Sequence, residues 1–154
     1  MRPVILITIC LLISILSLSG CRKDATSSTP ENQLVIIDDF QNFDPASIEI
    51  DAFEISEPRI SGDDLIFSIS YSGGCQDHQF TLYSTLAVME SQPPQASAWL
   101  SHNGNDDFCE AYLTEEIRFD LTELKENADS GSLLLRLHPF QEENPITPLL
   151  LYEW

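Results

Sequence analysis

Leu65-Ile66-Phe67-Ser68-Ile69-Ser70-Tyr71 places a large apolar side chain at every odd position and serine at two of the even ones. Side chains of an extended chain alternate between its two faces, so this spacing predicts a β-strand with one face in a core. The next run repeats the pattern. His78, Phe80, Leu82, Leu86 and Val88 share one parity, while Gln79, Thr81, Tyr83 and Thr85 share the other. Between the two runs, Ser72-Gly73-Gly74-Cys75-Gln76-Asp77 reads as a turn.

Working outward, residues 96–102, 132–138 and 148–154 are strand-like, as are 34–37 and 48–55. Cys109, Ala111, Leu113, Ile117, Phe119 and Leu121 keep one parity except at Glu115, where a bulge or break is expected. Every glycine after residue 20 (Gly62, Gly73, Gly74, Gly104 and Gly131) falls between these runs. One short surface helix is predicted over 122–128 from the spacing of Leu121, Leu124 and Ala128. About seven or eight strands without long helices between them predict an all-β fold, an antiparallel, immunoglobulin-like β-sandwich. The chain of 154 residues has room for one such domain, over 34–154.

The first residues have a different character. Met1-Arg2 is followed by a mostly apolar run from Val4 to Leu18 and then by Ser19-Gly20-Cys21. A charged start, an apolar middle and a small-residue cut site are the parts of an export signal, and the run is shorter than the ~20 residues that span a bilayer. Leu18-Ser19-Gly20-Cys21 resembles the lipobox of bacterial lipoproteins. That resemblance implies a signal peptide over 1–20, cleavage before Cys21 and acylation of Cys21 (palmitate among the chains), hence a lipid anchor at a membrane in the periplasm or at the cell surface. Arg22, where an Asp often retains such proteins in the inner membrane, implies the outer membrane. Residues 21–33 are polar and read as a tether whose twelve residues after the cysteine reach roughly 20 Å.

The formal charge is −18, and cleavage would remove Arg2, giving about −19 on the mature side chains. Only Arg59, Arg118, Lys125 and Arg136 are cationic in the expected domain. Nucleic acid is excluded as a partner because phosphate contacts need clustered Lys and Arg, and direct adsorption to anionic lipid is excluded by the same sign of charge. The surface would suit a cationic protein partner or a metal ion; its plainer use is to keep the domain soluble.

With Cys10 in the leader and Cys21 in the anchor, Cys75 and Cys109 are left in the domain. In an oxidising compartment a disulfide is the simplest expectation. The alternative is a Zn or Cu site in which Cys75, His78, His102 and Cys109 are ligands, with Asp106 and Asp107 nearby. With the cysteines joined, the two histidines and the acidic loop could still take a divalent ion; otherwise His78 is a strand-end residue bonded to backbone and 103–107 caps its own turn. The chain contains no G-x-S-x-G, no H-E-x-x-H, no phosphate-binding glycine loop and no D-x-[DN]-x-[DN]-G, and its paired carboxylates are what so acidic a chain contains by chance.

Gly73-Gly74-Cys75, His78, Phe80 and Leu82, followed by Ser101-His102-Asn103, Asp107, Cys109-Glu110-Ala111 and Phe119-Asp120-Leu121, resemble small uncharacterised bacterial lipoproteins. More distantly, over about 65–137, they resemble the C-terminal β-sandwich of NigD-like lipoproteins. Those share a histidine-led strand, an H-N-x-x-x-D loop and an F-D-L strand end. The resemblance implies a sandwich on an exported lipoprotein. The expected function is therefore a lipid-anchored envelope or surface module, not an enzyme and with no cofactor, that binds a partner through its loops. The alternatives are periplasmic metal binding and inhibition of a cationic enzyme or toxin.

Overall fold

The computed structural model describes residues 32–86, 91–126, 131–138 and 148–154. Cys21, the leader and most of the tether lie outside them, as do Val88 and the end of the expected helix. Among the described residues eight strands form two sheets: β1 (Gln33–Ile37), β2 (Phe53–Ser61), β3 (Asp64–Gly73), β4 (Gln79–Thr85), β5 (Gln95–Asn103), β6 (Ala111–Asp120), β7 (Ser132–Leu137) and β8 (Leu149–Glu153). The five-stranded sheet has the order β1-β4-β5-β7-β8, and the three-stranded sheet β2-β3-β6. A single turn of helix, α1 (Thr122–Glu126), follows β6 and buries Leu124.

The alternation in β3 does what it predicts. Leu65, Phe67 and Ile69 are fully buried and face Phe80 and Leu82 of β4, Ala98 and Leu100 of β5, Ile117 and Phe119 of β6, Leu133 and Leu135 of β7, and Tyr152 of β8. Each large side chain so enclosed contributes roughly 1.5–3 kcal/mol of transfer free energy. Tyr152 takes its hydroxyl into this core and donates it to Asp63 Oδ1 at 2.6 Å, which ties β8 to the turn between β2 and β3. Gly62 opens that turn at φ +62°, a conformation glycine takes without the clash a Cβ would bring.

Three expectations are corrected. The sandwich is not wholly antiparallel: β1 runs parallel to β4, and β5 parallel to β7. Alternation reports which side chains face inward, not which way a strand runs. The strand expected over 48–55 is displaced to Phe53–Ser61, with a 3-10 turn at Pro45–Ser47. Pro58 is accommodated because β2 is an edge strand carrying a bulge between Ser56 and Arg59, with Glu57 at φ +52°. β6 runs through Glu115 without a break, in register with Ile69, and the Glu115 carboxylate accepts the Tyr71 hydroxyl at 2.7 Å.

Candidate functional site

β3 and β4 meet at the Ser72–Asp77 turn, and β5 and β6 meet at residues 104–110. Both turns lie at one end of the sandwich because β4 pairs with β5 and β3 with β6. A disulfide between Cys75 and Cys109, Cα atoms 5.9 Å apart, fastens one turn to the other. Asp107 fastens them again. Its Oδ2 accepts the backbone N–H groups of Gly74, Cys75 and Gln76 at 2.8, 2.8 and 2.9 Å, and its Oδ1 accepts that of Cys109 at 2.9 Å. The Gly73-Gly74 turn thus presents successive amides as a concave anion site, and the chain fills it with its own carboxylate. Hydrogen bonds from the Cys109 amide foremost, then those of Gln76 and Cys75, hold the Asp107 carboxyl well below the usual carboxylate range.

Both histidines singled out in the sequence lie beside this lock and touch each other. His78 Nδ1 is 2.8 Å from His102 Nε2, and His78 Nε2 is 3.3 Å from Asp107 Oδ2. The His78 and Asp107 side chains are 3% and 0% exposed, and His102 is 1% exposed. His102 stacks on Phe80, ring centroids 4.5 Å apart, and Tyr71 packs on His78 at 4.4 Å. His102 Nδ1 donates to the Asp51 carbonyl at 3.2 Å. Burial lowers the proton affinity of His102, against the opposing pull of that carbonyl.

Asp51 was not visible as a site residue. It belongs to a segment that extends the edge of β5: Ile50 bridges His102 in parallel, the Asp51 N–H donates to the His102 carbonyl and the Asp51 carboxylate accepts the Gly104 N–H at 2.7 Å. Together these segments enclose a pocket of about 400 Å³, lined by Glu49, Asp51, Asp106, His78, His102 and Phe108 among others. Glu49, Asp51 and Asp106 are exposed, and Phe108 stands 90% exposed at the rim. The four cations of the domain lie elsewhere. Arg59 pairs with Glu116, Arg118 with Asp64 and Glu116, Lys125 with Asp63, and Arg136 donates to Gln95. The pocket is therefore an acidic cavity with no Lys or Arg in its wall.

The metal arrangement weighed for Cys75, His78, His102 and Cys109 does not form. Both sulfurs are committed to the disulfide, and the two facing ring nitrogens are committed to each other. Cys75, Asp107 and Cys109 do group within 4.8 Å, but a disulfide offers no thiolate and Asp107 is spent on amides. Asp106 lines the pocket from a left-handed backbone, φ +55° like Asn105, and does not join Asp107. His78 is bonded to side chains and not to backbone, while Asn103 does cap its own turn by accepting the Asn105 N–H. Nor do the histidines face a nucleophile: among the described residues no hydroxyl bonds to His78 or His102. His138 does meet the Ser97 hydroxyl at 3.0 Å, but that serine is buried and the ring is stacked on Trp99.

No protein-family model matches the chain, and no curated protein matches it in sequence. Solved structures match it in fold. One is a NigD-like immunity protein from Bacteroides caccae ATCC 43185, with a TM-score of 0.55 at 13% identity over 77% of this chain and 58% of that one. A second, the DUF1344 protein of unknown function from Bacteroides vulgatus ATCC 8482, has a TM-score of 0.53 at 16% identity over 82% and 57%. A third, a putative toxin-related protein from Parabacteroides distasonis ATCC 8503, has a TM-score of 0.54 at 18% identity over 80% and 61%. At such identities the likeness is one of architecture, and the chain spans about three fifths of the length of these proteins.

Proposed function

We propose that the chain is an exported lipoprotein, anchored through Cys21, whose sandwich is a non-enzymatic binding module that recognises a basic protein through the end carrying the pocket. The observation that carries this reading is a cavity with three exposed carboxylates and no Lys or Arg in its wall, rimmed by an aromatic side chain on an immobilised loop. A Lys or Arg of the partner enters between Glu49, Asp51 and Asp106 and supplies a charge opposite to theirs. Phe108 gives it an apolar anchor. Because the disulfide and Asp107 already fix the loop, little ordering entropy is lost on binding. The net charge, about −19 once Arg2 is removed with the leader, steers such a partner toward the domain from a distance.

Inhibition of a cationic enzyme or toxin is a narrower form of the same reading, favoured by the immunity protein and the toxin-related protein among the structural neighbours. The test is binding of basic proteins exported by the same cell, followed by titration calorimetry. Affinity should fall at least tenfold between 50 and 300 mM salt, and about tenfold in Phe108→Ala, the size of a moderate aromatic anchor. Binding indifferent to salt and to Phe108, or confined to acidic proteins, would remove the proposal.

A further inference from the structure

Between Asp107 and Asp51 runs an unbroken chain of three hydrogen-bonding links: Asp107 Oδ2 to His78 Nε2 at 3.3 Å, His78 Nδ1 to His102 Nε2 at 2.8 Å, and His102 Nδ1 to the Asp51 carbonyl at 3.2 Å. A carboxylate and a carbonyl can only accept, so each end link draws its hydrogen from a ring, and the middle link takes one from either ring. Three hydrogens are required. Two neutral imidazoles carry two.

We propose that His78 and His102 together hold one proton beyond their neutral complement, carried on His78, and that this proton pins the Ser72–Asp77 turn to the 104–110 loop, gating the recognition end by pH. The proton comes from solvent and returns to it. When it leaves, one of the three links has no hydrogen. The link that fails is the Asp107 contact, where a bare ring nitrogen would face a carboxylate, the contact between the rings, where two lone pairs would meet, or the Asp51 contact, where a bare nitrogen would face a carbonyl; in each case His78 no longer faces Asp107 as a cation.

The charged groups around the pair favour the cation, against the burial that opposes it. Glu49 and Asp51 approach from the segment before β2, Asp106 and Asp107 from the loop after β5, Asp77 is the preceding residue, and Tyr71 of β3 covers the ring with its hydroxyl donated to Glu115 of β6. No Lys or Arg lines the cavity. The two neighbouring glycines are shaped to the ring: a Cβ on Gly73 would lie 2.5 Å from His78 Nε2, and one on Gly104 would lie 3.3 Å from its Cε1.

The proton count fixes the sign of the pH dependence. Unfolded, the two histidines bind two protons well below pH about 6.5 and none well above it. Folded, the pair holds one. Below that point the unfolded chain binds more protons and stability rises with pH; above it the folded chain binds more and stability falls as pH rises. The lowered proton affinity of buried His102 belongs to the acid arm, since a histidine kept neutral in the fold loses stability as the pH drops below its unfolded value. The pair therefore adds a maximum near pH about 6.5 to the stability profile.

The pin rests on the recognition reading only for what its loss would affect. Ring protonation is measured on the free protein, so the two can fail separately. In the detergent-solubilised full chain with 15N-labelled histidine, and His138→Gln to remove the third ring, one ring at pH 6.5 should show both nitrogens protonated and the other a single proton on Nδ1. As the pH is raised until the first ring becomes neutral, the protection of the Gly74, Cys75 and Gln76 amides should fall more than tenfold. His78→Gln, which hydrogen-bonds without a charge, should lose the alkaline fall in stability and keep the acid one. Two neutral rings at pH 6.5 would overturn the proposal, as would amide protection that ignores the change. If His78→Gln does not fold, the wild-type ring spectrum decides alone.

Discussion

Gly73 leaves no room for even a methyl group, because the imidazole of His78 and the carboxylate of Asp107 occupy the space where a Cβ would stand, at 2.5 and 3.0 Å. The ring is closed in on its other sides by Tyr71 and His102 and cannot yield. Gly73→Ala should therefore cost about 1–3 kcal/mol in urea unfolding, the range for overfilling a packed site, and should shift the ring signals of His78. Gly62→Ala is the comparison. It meets nothing within 4 Å and bears only the left-handed backbone, about 1–2 kcal/mol, with the histidine signals unmoved. If the two variants differ neither in ring signals nor in stability, the packing account of the site is wrong. His78 and His102 were legible as chemistry-bearing residues, but their contact was not, since nothing in a strand's alternation tells which residue of a distant strand it will meet. Asp51 was illegible for a further reason. Its link to His102 is through its carbonyl, which any residue supplies. Asp107 was legible as a carboxylate in an acidic loop, and the Gly73-Gly74 pair that makes its amide cradle was legible only as a turn.

The disulfide closes a loop containing β4 and β5 whole, between cysteines with a sequence separation of 34. In the chain-entropy account a loop of that length is worth on the order of 4 kcal/mol through restriction of the unfolded chain. Replacing Cys75 and Cys109 together by alanine should lower the urea midpoint correspondingly, while far-ultraviolet dichroism stays that of a β protein because both sheets retain their ladders and Asp107 still joins the turns. A variant with an unchanged midpoint would show that the bond is absent or adds nothing to the fold. The strands themselves were legible where one face is buried and the other wet, as in β3, β4 and β7. Their direction was not, since parallel and antiparallel neighbours impose the same alternation on a strand, and so β1 with β4 and β5 with β7 were missed. β2 was misplaced because it is mostly exposed, contains a proline and carries the bulge, so that hydrophobic parity has little hold on it.

At the scale of the whole molecule the charge and the expected anchor make one argument. A domain in which four cations face a large excess of carboxylates is repelled by an anionic leaflet, so its charge gives it no attraction to such a surface. Attachment would then depend on Cys21. Acyl chains contribute about 0.8 kcal/mol per buried methylene, and two or more chains on one residue hold against washing, whereas one chain binds only marginally. The wild-type protein, expressed in a bacterial host with lipoprotein processing, should incorporate labelled palmitate and stay with the membranes through a wash in molar salt, because the attachment is apolar and screening does not weaken it. Cys21→Ser should take up no label and should migrate as the longer, uncleaved precursor. The leader alone, replaced by that of a freely secreted protein, should give a domain that stays in the aqueous fraction at low salt, where any electrostatic adsorption would be strongest. Wild-type protein that takes up no label would end the anchor reading, and with it the expectation that the basic partner is met at a membrane surface. The acidic pocket and its recognition test would stand unaffected, since they depend on residues 49–108 and not on how the chain is tethered.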